Sequence, residues 1–232
     1  MIPFLCIGHR GARGHEPENT LRSIGRAFEL GADGVEIDVW LIDGQLIVLH
    51  DATLQRTTNG HGPAKRYTFE QLRTLDAGLG ERIPLLREVL DLVNRRGVVN
   101  IELKGPGTAY AVCQMIEEFV RNHGWSYEQF IVSSFRRREL KQITAPSIRI
   151  GMLCVRPTPL YYLSARRLKA FSVHPAASAT KARFVEDAHR RGLKVFPYTV
   201  NTPEEIARMR HLKVDGVFTD YPDRVCTARC PT

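Results

Sequence analysis

The chain has 232 residues, 43% hydrophobic and 25% charged, with a formal net charge of +8. That length and balance suit one large α/β domain and exclude disordered and fibrous classes. No apolar run approaches the roughly 20 residues that cross a bilayer as a helix, so the expected location is cytoplasmic.

Residues 4–7 read as the first strand and run into Gly8-His9-Arg10-Gly11. Thr20 is placed to cap a helix reaching residue 30, with Leu21, Ile24, Ala27, Phe28 and Leu30 as its apolar stripe. Residues 35–39, Val-Glu-Ile-Asp-Val, read as the second strand. Side chains two apart on a strand share a face, so Glu36 and Asp38 stand side by side. Such a pair is either solvated, on an antiparallel strand with a wet face, or cancelled by a cation. Oxygen ligands of this kind suit Mg²⁺ or Ca²⁺.

Asp43-Gly44 is a hairpin turn, and residues 46–49 return into His50-Asp51. Residues 51–82 break the rhythm, with a turn-rich start and a capping box at Thr68-Phe69-Glu70-Gln71. The segment is too short to own a core, so it is expected as a small insertion within one domain spanning 1–232. A helix over 84–95 precedes the strand at 98–103, where Glu102 shares a face with Lys104. Helices over 108–122, 136–142, 160–168 and 180–190 then alternate with strands at 130–133, 148–153, 170–173 and 194–198. Thr202 caps a last helix with Pro203 in its first turn, and residues 214–218 close the series.

Eight principal strands alternating with helices predict a TIM (β/α)₈ barrel with a small insertion after the second strand region. A doubly wound open sheet is the runner-up, weakened by the lack of G-x-G-x-x-G and Walker A sequences. In parallel α/β folds ligands bind at the C-terminal ends of strands. His9, Arg10, His50, Asp51, Glu102 and Lys104 gather at or near those ends.

The arginine blocks 95–96, 136–138, 166–167 and 190–191 read as solvated helix faces and ends. No aromatic stacking platform accompanies them, so no nucleic-acid partner is expected. The five cysteines, Cys6, Cys113, Cys154, Cys226 and Cys230, are odd in number and scattered, as reduced thiols are. Cys226 and Cys230 lack the second pair that would complete a zinc site.

Together, His9-Arg10-Gly11, Pro17-Glu18-Asn19-Thr20, Gly31-Ala32-Asp33, Glu36-x-Asp38, His50-Asp51, Ile101-Glu102-Leu103-Lys104 and Asp215-Gly216-Val217-Phe218-Thr219-Asp220-Tyr221-Pro222 resemble the glycerophosphodiester phosphodiesterase family, in its bacterial cytosolic form. The resemblance runs from His9 to Asp223. It implies a TIM barrel, an insertion after the His-Asp motif, and one divalent cation, with Mg²⁺ expected and Ca²⁺ or Mn²⁺ as alternatives. It also implies metal-dependent hydrolysis of glycerophosphodiesters, the deacylated phospholipids, to glycerol 3-phosphate and an alcohol.

By the same resemblance, Glu36, Asp38 and Glu102 are metal ligands, and His9 and His50 are the general acid/base pair. Glu18 lines the site. Arg10 and Lys104, beside the acids, supply positive charge to the phosphate. Tyr198 stands where the family usually carries Trp, at a pocket wall. His15, His61 and His174 are expected to be structural. The substrate is then a small molecule, with no nucleic acid and no stable membrane association. A lysophospholipase D or phospholipase C-like lipid phosphodiesterase is the alternative, and it needs an apolar landing surface. A non-enzymatic nucleic-acid-binding protein is a third reading, motivated by charge alone.

Overall fold

The structure is a computed structural model that describes residues 4–156 and 158–227. Strands and helices alternate from the start. β1 (Leu5–His9) leads to α1 (Leu21–Glu29), whose first turn is closed by Thr20 accepting from Ser23 N. β2 (Gly34–Ile42) folds back on β3 (Gln45–Val48) through Asp43 and Gly44, at φ 49° and 72°. Positive φ at both turn positions is the geometry that matches the twist of a two-residue hairpin. α2 (Phe69–Arg73) and α3 (Leu86–Val93) precede β4 (Val98–Leu103). Then follow α4 (Thr108–Asn122), β5 (Phe130–Ser134), α5 (Arg137–Leu140), β6 (Arg149–Cys154), α6 (Pro159–Arg167), β7 (Ser172–Pro175) and α7 (Ala182–His189). β8 (Lys194–Val195), α8 (Pro203–His211), β9 (Gly216–Thr219) and α9 (Pro222–Thr227) follow among the described residues.

The strands pair in the order β8-β7-β6-β5-β4-β2-β1-β9, parallel throughout, with β3 antiparallel on β2. Backbone bonds from Asp215 N to Val195 O, Phe218 N to Pro197 O and Val200 N to Phe218 O join the two ends. The result is a nearly closed TIM barrel of eight parallel strands with helices between them. One apolar layer lies between barrel and helices, including Val35, Ile37, Val39, Ile101 and Val132. Inside the barrel, Ile7, Ile131, Phe196 and Phe218 form a plug. A third cluster joins Ile42, Ile47 and Leu49 of the hairpin to Leu54, Ala64, Leu72 and Ala77 of the 51–82 segment.

Several boundaries differ from those expected. Pro84 stays outside α3 because its carbonyl accepts from Val48 N. β7 starts at Ser172, not 170, because Lys169 has φ 49° and Ala170 N still bonds to Ala165 O, so the chain is leaving α6 there. The regular strand β8 covers only Lys194–Val195, but its bonding to the β7 side runs on to the expected 198, with Phe196 N donating to Val173 O and Tyr198 N to Pro175 O. His174 lies within β7 and not at its edge, and it is fully buried. Cys230 lies outside the described residues.

The parallel registers matter most for function. His9 on β1 is opposite Glu36 on β2, and Asp38 is opposite Glu102 on β4. Glu36 is 4% exposed and Asp38 1%, which removes the solvated alternative for this pair.

Candidate active site

At the C-terminal end of the barrel, Glu36 and Asp38 from β2 meet Glu102 from β4, with one oxygen of each within 4.8 Å of the others. All three are buried. Two cations lean on them. Lys104 Nζ is 2.8 Å from Glu102 Oε1 and 3.3 Å from Asp38 Oδ1. Arg10 Nε is 3.2 Å from Asp38 Oδ2, and Arg10 N donates to Glu36 Oε2 at 3.0 Å. Asn19 Nδ2 donates to Asp38 Oδ2 at 2.9 Å.

Three carboxylates against two cations leave the cluster one negative charge in excess. The strain shows in the proton affinities. Burial, then Asp38 and Glu102, raise Glu36 well above the usual carboxylate range. Burial and Asp38 push Glu102 up to about 7. Burial also acts against ionised Asp38, but Lys104 and Arg10 outweigh it and hold this group below its ordinary value. Asp38 Oδ1 is buried without a hydrogen-bond donor, since Lys104 is near but poorly aligned. Converging hard oxygens, excess negative charge and an unmet lone pair fit a divalent cation.

Two histidines face this cluster. His9, at the end of β1, has Nδ1 2.7 Å from Asp220 Oδ1 and Nε2 4.0 Å from Glu36 Oε2. Asp220 is fixed in turn by Asn201, which donates through Nδ2 at 2.9 Å and accepts from Asp220 N at 2.9 Å. His50 follows β3, and its Nδ1 is 2.5 Å from Asp51 Oδ1. Asp51 Oδ2 accepts from Arg56 Nε at 2.5 Å, and that bond takes the Asp51 carboxyl down to about 2. Each imidazole therefore has one nitrogen on an aspartate, a pairing that fixes tautomer and ring orientation.

His9, Arg10, Glu36, His50, Glu102 and Lys104 line one side of a cavity of about 400 Å³. Phe135, Leu153, Val155, Tyr198 and Phe218 line the other. Tyr198 stands edge-on to Phe135 at 6.0 Å between centroids, and its hydroxyl donates to Cys154 O at 3.2 Å. Polar reactive groups on one wall and apolar carbon on the other suit a small anionic substrate with a hydrocarbon skeleton.

Glu18 lies apart from the others, in an adjoining cleft. Its carboxylate takes Arg10 Nη1 at 2.7 Å, Arg56 Nη2 at 2.8 Å and Arg13 Nε at 3.2 Å. Burial opposes its ionisation, yet Arg56 and Arg10 prevail and hold it at about 2. Of the histidines expected to be structural, His15 pairs with Asp223 at 2.8 Å and His61 gives its carbonyl to the Tyr67 hydroxyl. His174 packs inside the barrel against Phe196 and Phe218.

Asp220, Asn201 and Asn19 contact the site but drew no role in the sequence reading. Asp220 sits in a motif quoted there, yet 211 residues separate it from His9, and no local pattern joins them. Asn19 carries φ 60°, a backbone state invisible in the sequence. The apolar wall residues Phe135, Leu153 and Val155 look like ordinary strand ends in the chain.

The model of the glycerophosphoryl diester phosphodiesterase family matches residues 9–224. A glycerophosphodiester phosphodiesterase of Caldanaerobacter subterraneus subsp. tengcongensis is 40% identical, over 94% of this chain and 95% of that protein. One from Bacillus altitudinis is 37% identical, over 96% of this chain and 97% of that protein. Among solved structures, a phosphodiesterase of Oleispira antarctica in complex with the product sn-glycerol-3-phosphate superposes with a TM-score of 0.89 and 30% identity, covering 98% of this chain and 97% of that one.

Proposed function

The chain belongs to the glycerophosphoryl diester phosphodiesterase family and has that hydrolase activity; from this premise we propose that it cleaves glycerophosphodiesters to glycerol 3-phosphate and an alcohol, with His9 and His50 moving the protons. One observation carries the reading: two imidazoles, each tied by Nδ1 to an aspartate, border one cavity with three converging carboxylates. The product held by the Oleispira phosphodiesterase supports glycerol 3-phosphate as the product here.

A phosphodiester is an anion and repels nucleophiles, so the site must first neutralise it. Arg10 and Lys104 bring fixed positive charge to the cavity. A divalent cation held by Glu36, Asp38 and Glu102, which we read as Mg²⁺, supplies further positive charge to the phosphoryl group when bound. One histidine takes a proton from the attacking hydroxyl, and the other gives one to the departing alcohol oxygen. We assign the attack to the substrate's own glycerol 2-hydroxyl. Its oxygen bonds to phosphorus, the bond from phosphorus to the alcohol oxygen breaks, and a cyclic phosphate remains. Water then adds to phosphorus and the bond to O2 breaks, the histidines exchanging roles. Tyr198 belongs to the wall against which the substrate carbons rest. Arg56 and Arg13 hold Glu18, which in turn positions Arg10. Buried thiols at Cys113 and Cys154 accord with a cytoplasmic setting.

Release of glycerol 3-phosphate from glycerophosphocholine tests the reading. His9→Ala and His50→Ala should each lower kcat by on the order of 10²-fold or more. A variant retaining wild-type kcat removes that histidine from the mechanism. Calorimetric titration with Mg²⁺ should show one site in the wild type and none in Glu36→Ala. A substrate lacking the 2-hydroxyl should bind but not turn over, and its normal cleavage would exclude the cyclic route.

A further inference from the structure

The cavity has a charged rim whose cations the chemistry above does not use. β5 hands over to Phe135, Arg136, Arg137 and Arg138, all exposed. β6 hands over to Val155 and Arg156, also exposed. Phe135 and Val155 are themselves part of the cavity wall. Beside the cavity opens a groove of about 240 Å³ that shares Glu102, Lys104 and Phe135 with it and is bounded by Trp40 and Arg136. A substrate held by its phosphate near Lys104 has this groove as a way out for its alcohol group.

The rim arginines differ from others on the surface. Arg22 is paired with Glu16, Arg73 with Glu88 and Arg87 with Glu118. Among the described residues Arg136, Arg137, Arg138 and Arg156 have no carboxylate at ion-pair distance. The acid nearest them in sequence, Glu139, is turned inward and accepts from Gly107 N and Ala109 N. The carboxylates at the mouth are committed as well: Glu18 to arginines, Asp51 to His50 and Arg56, and Asp220 to His9 and Asn201. Trp40 and Phe135 border the groove, and aromatic rings can attract a quaternary ammonium, but Arg136 on the same groove has no carboxylate partner and repels it, Lys104 there being paired with Glu102. A second anion leaving by this groove meets Arg136, with the exposed Arg137 and Arg138 next in the chain and Arg156 following the cavity-wall residue Val155, and the attraction of such cations is screened by salt.

We propose that this rim selects the alcohol: the enzyme turns over glycerophosphodiesters whose alcohol carries a further negative charge, such as a second phosphate, in preference to those carrying a quaternary ammonium, and Arg136, Arg137 and Arg156 make that selection. The inference rests on the phosphodiesterase reading above. It concerns the far end of the substrate, away from the reacting phosphorus.

The test compares kcat/KM for three substrates: glycerophosphocholine, glycerophosphoglycerol, and glycerophosphoglycerol with a terminal phosphate on the leaving glycerol. In about 20 mM salt the phosphorylated alcohol should be preferred over choline by on the order of tenfold, and in about 500 mM salt that ratio should shrink several-fold. The Arg136→Glu/Arg137→Glu/Arg156→Glu variant should invert the order at low salt. The salt series on the wild type needs no variant, so a misfolded triple mutant leaves the test intact. Choline equal to or better than the phosphorylated alcohol at low salt, or a ratio unmoved by salt, overturns the selection and leaves the phosphodiesterase reading standing. No turnover of any of the three overturns both.

Discussion

At His9 the useful nitrogen is set by what the other one touches. Nδ1 lies 2.7 Å from Asp220 Oδ1, so Nε2 is the nitrogen presented toward Glu36. Asp220 can hold that geometry because Asn201 fixes its other oxygen at 2.9 Å. Burial works against the ionised Asp220 carboxyl, but His9, Asn201 and Arg13 together outweigh it, leaving the group below its ordinary value. Asp220→Asn keeps the shape but can donate to Nδ1, which favours the wrong tautomer. It should lower kcat by on the order of 10²-fold or more while KM moves little. A purely structural role would instead lower the melting temperature and leave kcat of the folded enzyme intact. That Glu36, Asp38, Glu102 and His9 gather at one end of the barrel was legible because each ends or lies within an apolar run, and the pleat put Glu36 and Asp38 on one face; their roles came from the family resemblance. Asp220 and Asn19 were not legible in the sequence. The first reaches His9 only after the barrel closes, and the second depends on a left-handed backbone at φ 60°.

Among the elements, the β2–β3 hairpin does two jobs. The inward face of β2 carries Glu36 and Asp38 to the site, while Ile42, Ile47 and Leu49 pack against Leu54, Leu72 and Ala77 of residues 51–82. We propose that this segment folds as an insertion within the barrel domain, since its apolar cluster is shared with the hairpin. Leu72 is fully buried there. Leu72→Ala should cost about 2–5 kcal/mol, the usual range for such truncations in a core. Thermal unfolding should remain a single transition, coincident by circular dichroism and by the fluorescence of Trp40 and Trp125. A separate early transition seen in tryptophan emission alone would make the segment an independent unit. Elements with explicit end signals were the legible ones: Thr20, Thr68 and Thr202 all cap the helices expected of them. The start of β7 was misplaced because Lys169, at φ 49°, still belongs to the chain leaving α6, against the apolar pattern.

At the scale of the whole molecule, closing eight parallel strands makes an interior that must be filled, and His174 is part of the filling. Its Nε2 is 2.8 Å from Ser172 Oγ, and its ring packs against Phe196 and Phe218 at 5.8 and 5.0 Å. Nδ1 has no partner among the described residues. Among the described residues no carboxylate stands by to balance a charge, so burial takes the imidazole down to about 3 from an ordinary 6.5. The sign follows from proton counting. Between those two values the unfolded chain binds the proton and the folded barrel does not, so stability rises with pH across that window and is lost as pH falls below 6.5. Each pH unit across the window removes up to about 1.4 kcal/mol through this one group. His174→Gln keeps a hydrogen-bonding side chain for Ser172 and cannot titrate. Urea unfolding of both proteins between about pH 5 and pH 7 should then show a shallower loss of stability in the variant, by up to one proton's worth of slope. Parallel curves would mean that His174 is protonated in the folded barrel as readily as in the unfolded chain, with water reaching Nδ1 inside the plug.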